Sequence, residues 1–168
     1  MLVLGIDPGI TVTGFGLVRE EDGILTSPGF GEIRPGPRGT LPERLQEIYL
    51  GLKKIIQRSH PDCIAIEGLF FAKNAKSALK LGHARGVALL TAAEAGIEVV
   101  EYSPLEVKGA VTGFGRADKS QVKRMVQVLL RLESQPEPLD AADALAIAIC
   151  HIHSVALKRK IEPLKRKT

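Results

Sequence analysis

The sequence predicts one α/β domain with a mixed sheet, antiparallel in its first strands and parallel in its later ones, with helices on its faces. Three observations predict it. Apolar runs and helical patterns follow one another in the order β-β-β-α-β-α-β-α-α-α, and strands that alternate with helices favour parallel pairing. The first three runs are separated only by turn residues, which favours hairpins. The length, 168 residues of which 45% are hydrophobic, suits one core.

Leu2–Asp7 is a short apolar run, the pattern of a buried strand, and Pro8-Gly9 breaks it. Thr11–Arg19 holds β-branched and aromatic residues in partial alternation and reads as a second strand. Glu21-Asp22-Gly23 signals a turn, and Ile24–Ile33 is a third strand weakened by Pro28-Gly29. After the loop Arg34–Gly39, Thr40 caps a helix with Pro42 in its first turn. Leu41, Leu45, Ile48, Leu52, Ile55 and Ile56 share one face of it, and Pro61 stops it. Cys63–Ile66 is a buried strand ending at Glu67. Lys73 to about Ala95 is a long Ala/Leu helix closed by Gly96, and Ile97–Tyr102 is a strand. Ser103-Pro104 gives an N-cap followed by Pro at N1, for a helix to about Val111. Gly113-Phe114-Gly115 is a turn, Asp118 caps a helix ending near Leu132, and Leu139 to about Leu157 is the last helix. The expected organisation is one domain over 1–157 and a basic, flexible tail over 158–168.

Lys and Arg number 23 against 19 Asp and Glu, a net charge of +4. The tail holds six basic residues against one acid, Glu162, so it carries +5 and residues 1–157 carry −1. Such a tail suits nucleic-acid contact or a solubilising end, and charge arguments about the body rest on local clusters. No apolar run approaches the roughly 20 residues of a membrane span, and the first residues, MLVLGIDPG, lack a signal-peptide pattern. Cys63 and Cys150 each lie at one end of an apolar run and read as reduced core thiols. The expectation is a cytoplasmic protein with no membrane partner.

Four carboxylates sit where this pattern would not put them for stability. Asp7 and Glu67 each end an apolar strand, and Asp140 and Asp143 lie three apart on one face of the otherwise apolar last helix. Gathering anions at a sheet edge costs repulsion and desolvation. Divalent cations offset that cost, and all-oxygen ligands favour Mg²⁺ or Mn²⁺. Two such ions roughly 3.5–4 Å apart suit phosphodiester hydrolysis. Each residue also has a plainer role: Asp7 as a turn former, Glu67 as a strand-end surface charge, Asp140 as an N-cap. Asp143, inside an Ala/Leu/Ile run, is the hardest to explain that way. Spacing alone does not bring the three segments together.

Gly5-Ile6-Asp7-Pro8-Gly9, Ala65-Ile66-Glu67, Phe71 to Gly82, Ala84-Arg85-Gly86-Val87-Ala88 and Asp140 to Ala148 occur in that order. In this ordered set the chain resembles the RuvC family of crossover junction endodeoxyribonucleases, the bacterial Holliday junction resolvases, over about residues 1–157. The resemblance implies a ribonuclease H-like fold with a mixed five-stranded sheet flanked by helices. It implies that Asp7, Glu67, Asp140 and Asp143 are the catalytic residues and hold Mg²⁺, two ions per subunit, with Mn²⁺ as a substitute. It further implies a homodimer that cuts two opposed strands of four-way junction DNA, leaving 5′-phosphate and 3′-hydroxyl ends, in recombination and repair. A branch-migration helicase complex is the implied protein partner.

DNA needs cations near the acids. Lys73, Lys76 and Lys80 share one face of the long helix, which could equally be a solvated face. Lys108 and Lys119 alone would read as surface lysines; the resemblance gives them DNA contact near the cut. Arg116, Lys123 and Arg124 are weaker candidates. Phe70 and Phe71 are adjacent, beside Glu67, in a chain with no Trp and five Phe. A Phe on a loop can wedge between bases or stack on one; the resemblance gives Phe70 that role, and the expectation is Phe70 outward and Phe71 inward, though one or both could equally pack under the following helix. Ala75, Ala78, Gly82, Gly86 and Ala92 would let a second subunit approach, or equally pack on the sheet. His151 falls three turns beyond Asp140 and is not expected as a ligand. Asp7-Pro8-Gly9 would also suit an actin-like phosphotransferase, but such enzymes clamp nucleotide between two domains and this chain is too short.

Overall fold

A computed structural model describes residues 1–68 and 75–165, except the side chains of 75–77 and 162–165. The strands are β1 (Leu2–Asp7), β2 (Thr13–Glu21), β3 (Ile24–Ile33), β4 (Cys63–Glu67) and β5 (Val99–Tyr102). The helices are α1 (Leu41–Ser59), α2 (Ala75–Glu94), α3 (Pro104–Thr112), α4 (Lys119–Leu129) and α5 (Leu139–Lys165). The sheet runs β3-β2-β1-β4-β5, antiparallel across β1, β2 and β3 and parallel across β1, β4 and β5. Asp22-Gly23 makes a two-residue hairpin turn with positive φ at both residues, the geometry that matches strand twist. Pro28 does not break β3, because β3 is an edge strand and a missing N–H is tolerated there.

Alternation along the strands sorts the core into two layers. Leu2, Leu4 and Ile6 of β1 and Ile64 and Ile66 of β4 pack with Ile48, Leu52 and Ile56 of α1 and with Ala84, Ala88 and Ala92 of α2. Val3 and Ala65 face the other way, onto α5 and the helices α3 and α4. By the same alternation Asp7, four residues beyond Val3, and Glu67, two beyond Ala65, lie on the α5 face.

α5 runs against the middle of the sheet and is buried from Ala144 to Ile152. Residues Leu139–Ile161 are apolar and long enough to cross a bilayer, but most of that span is buried in the fold. The helix continues beyond the expected end near Leu157, through Lys165. Cys63 and Cys150 are free, buried thiols, both pushed up to about 11, chiefly by burial.

Candidate active site

Three close backbone approaches bring the acids together. A side-chain carbon added at Gly5 would lie 1.9 Å from the Ala144 carbonyl oxygen, one at Gly14 2.0 Å from that of Asp140, and one at Gly16 2.7 Å from Leu145 Cγ. Gly5 pairs with Gly16, and Asp7 with Gly14, across β1 and β2. The three glycines form a patch without side chains on which the first turns of α5 rest. The patch sets Asp140 and Asp143 beside the end of β1. The glycines' only mark in the sequence is Gly14 and Gly16 at strand period in β2, since a glycine leaves no charge or hydrophobic pattern.

The turn after Asp7 is held in place. The buried Thr13 hydroxyl donates to the Gly9 carbonyl at 2.8 Å and accepts from Gly9 N at 3.3 Å. Glu67 lies one residue beyond the last paired residues of β1 and β4, Ile6 and Ile66. It pairs with Tyr102 of β5, and Gly68 N donates to the Tyr102 carbonyl at 2.9 Å. Asp140 is the second residue of α5, so it is not the N-cap.

The electrostatics show the four acids acting on one another. The Asp7 carboxyl is pushed up to about 7, first by burial, then by the charges of Asp143, Glu67 and Asp140, with Lys119 opposing. Glu67 is also raised, by burial and then by Asp143, while Lys119 and Lys108 pull it down. Lys119 Nζ donates to Asp143 Oδ2 at 2.8 Å, which raises the lysine. Among the described residues no three His, Cys, Asp or Glu side chains already close around one point. The charges of the other three carboxylates all act on Asp7, and Asp143 is paired with Lys119. The donor set, four carboxylates and no nitrogen or sulfur, fits a hard divalent cation.

Lys108 and Lys119 therefore face the acids. Lys80 is exposed on α2. Phe70, Phe71, Lys73 and the side chain of Lys76 lie outside the described residues. Lys123 pairs with Glu137, and Arg116 and Arg124 are exposed. His151 is in the core, its Nδ1 2.9 Å from the Tyr102 hydroxyl, and burial lowers it. Ala92 is buried inside the chain, so it is not free to meet a second subunit. A cavity of about 470 Å³ lined by Met1, Ile24, Leu129, Ile152 and Arg159 opens at the other end of β1. The four acids are all half-buried.

A mixed five-stranded sheet with acids on two adjacent strand ends and on the helix crossing them defines a metal-dependent nuclease of the ribonuclease H-like fold. The family model described as crossover junction endodeoxyribonuclease RuvC matches residues 3–151. The crossover junction endodeoxyribonuclease RuvC of Moorella thermoacetica is 55% identical over 152 residues, 90% of this chain and 90% of its own. That of Alkaliphilus metalliredigens is 49% identical over 154 residues, 92% of this chain and 94% of its own. The Thermus thermophilus RuvC structure in complex with Holliday junction substrate matches with a TM-score of 0.89 at 36% identity, over 94% of this chain and 96% of that one. The yeast mitochondrial Holliday junction resolvase, 14% identical with a TM-score of 0.69 over 98% of this chain and 85% of its own, shares the fold. The chain belongs to the RuvC family of crossover junction endodeoxyribonucleases.

Proposed function

We propose that the chain resolves four-way DNA junctions as a cytoplasmic homodimer, each subunit nicking one of two opposed strands to leave 5′-phosphate and 3′-hydroxyl ends. Asp7, Glu67, Asp140 and Asp143 are its catalytic residues and hold two Mg²⁺ per subunit, for which Mn²⁺ can substitute. The observation that carries this is the convergence of four carboxylates around Asp7, a half-buried group whose charge is disfavoured until cations offset it. Bound Mg²⁺ supplies Lewis-acid chemistry, activating water and neutralising charge on the leaving oxygen. Asp7 is central because all three other acids act on it. Lys119 leaves Asp143 for a phosphate near the cut, and Lys108 neutralises a second phosphate. Lys73, Lys76 and Lys80 would track the DNA backbone, and Phe70 would help open the junction.

Exposed Leu79 and Leu90 on α2, with Gly82 and Gly86 between them, support a dimer built on that helix. A branch-migration helicase complex is the proposed protein partner. The tail beyond residue 157 is proposed to reach solvent or DNA as a basic extension of the domain. The test is an end-labelled mobile four-way junction with Mg²⁺, beside a linear duplex of matching sequence. Paired nicks in opposed strands of the junction alone, absent with Asp7→Asn while junction binding persists, are expected. Binding without a nick in Mg²⁺ or Mn²⁺, across a scan of junction sequences, would make the chain a binding module.

A further inference from the structure

The corner joining α3 to α4 carries apolar surface that neither the core nor the acids use. Phe114 is 59% exposed and Leu105 64%. Leu105 reaches the corner itself, since a carbon added at Gly115, the residue after Phe114, would lie 3.7 Å from Leu105 Cδ2. The corner is well tied. Phe114 N donates to Thr112 Oγ1 at 3.1 Å, and that hydroxyl donates to the Lys108 carbonyl at 2.8 Å. Ala117 N donates to the Phe114 carbonyl at 3.1 Å, and Ala117 itself is buried in the α5-side core. Gly113 closes α3 at φ 76°. An exposed hydrophobic residue by itself is ordinary; this one is bracketed by the two lysines that face the acids. Lys108 stands in α3, and Lys119 opens α4, bonded to Asp143. Exposed Arg116 lies between them.

An exposed aromatic on the turn between two helices, one carrying Lys108 and the other Lys119, whose charges act on the acids, fits a DNA strand. Phosphates meet the cations and a base meets the ring. We infer that Phe114, backed by Leu105, contacts the strand being cut and holds it by stacking on a base near the scissile phosphate. The inference rests on the junction-nuclease reading. Phe114 binds the strand and takes no part in bond breaking, so its loss is felt in affinity and not in the rate at saturation.

The full chain carrying Phe114→Ala, Phe114→Tyr or Leu105→Ala is titrated into a fluorescein-labelled four-way junction in EDTA. Cleavage is then timed in Mg²⁺ at limiting and saturating protein. Loss of one base–aromatic contact predicts an affinity about fivefold or more weaker for Phe114→Ala, with Phe114→Tyr within about twofold of the unsubstituted chain. The saturated cleavage rate and the melting temperature are expected to stay the same. With p-benzoylphenylalanine in place of Phe114, irradiation should crosslink the chain to the cut strand. Unchanged affinity for Phe114→Ala, or a crosslink to a second copy of the chain in place of DNA, overturns the inference while the junction reading stands. Failure of the unsubstituted chain to bind the junction removes that reading, and this inference with it.

Discussion

Asp7 concentrates the electrostatic cost of the site, and its titration has a definite sign. Its carboxyl is raised from 3.8 to about 7, so between those values the folded chain holds a proton that the unfolded chain releases. The stability it contributes is complete below its unfolded value and is lost as pH rises through about 7. In EDTA, thermal unfolding should therefore move to lower temperature from about pH 5 to about pH 8 through this group. Asp7→Asn should flatten that slope and stabilise the metal-free chain near pH 8 by on the order of a few kcal/mol. An unchanged slope would place the cost elsewhere. The same proton competes with Mg²⁺, so cleavage should rise about tenfold per pH unit below about pH 7 and level off above it. A flat rate profile across that range would remove Asp7 from the ligand set. Lys119 answers a separate question. Lys119→Ala frees Asp143 and removes a cation near the proposed cut, and on the order of 10²-fold of cleavage should go with it. Lys119→Arg should recover part of that loss in the same gel assay.

The packing of α5 on the sheet turns four separated acids into one site. The acids were legible in the sequence because each breaks its local pattern: Asp7 and Glu67 at the ends of apolar strands, Asp143 within an apolar helix. Their meeting was not legible, since it depends on how close a helix can come to a sheet, and that is set by atoms the sequence lacks. Gly5, Gly14 and Gly16 matter through the missing Cβ, which leaves no hydrophobic or charge pattern to read. The β2–β3 hairpin and all five helices were legible from periodicity and caps. The end of α5 was not, because the basic residues that directly follow Leu157, Lys158, Arg159 and Lys160, are good helix formers. The glycine patch can be tested directly. Gly14→Ala places a carbon 2.0 Å from the Asp140 carbonyl oxygen, so α5 must shift. The expected loss is about 1–3 kcal/mol or more of stability and most of the cleavage. Gly29→Ala, with open space around it, should leave the melting temperature and cleavage unaltered. If Gly14→Ala melts and cuts like Gly29→Ala, close helix approach is not what builds the site.

At the scale of the molecule, the described residues hold one acidic cluster, while resolving a four-way junction takes two cuts in opposed strands. A second copy is the simplest source of the second cluster, and α2 offers the surface for it. Ala84, Ala88 and Ala92 turn inward and hold this helix on the fold. Leu79, Gly82, Gly86 and Leu90 follow at intervals of three, four and four along the outer side. Leu79 and Leu90 are 66% and 57% exposed. Side-chain carbons added at Gly82 and Gly86 would meet nothing within 4 Å, so the stripe is apolar and shallow, suited to close contact between two helices. In a self-complementary contact built on this stripe, replacing both leucines by glutamate would put like charges on both sides of the interface. If α2 is the interface, Leu79→Glu combined with Leu90→Glu should sediment as a monomer while keeping the circular dichroism of the unsubstituted chain, because neither side chain supports the core. On the junction the monomer should give single nicks in place of paired ones, since each cluster still cuts but nothing couples the two. A doubly substituted chain that remains dimeric would move the interface off α2. A monomer that still makes coupled paired cuts would show that the junction alone, without protein contact, brings the two copies into register.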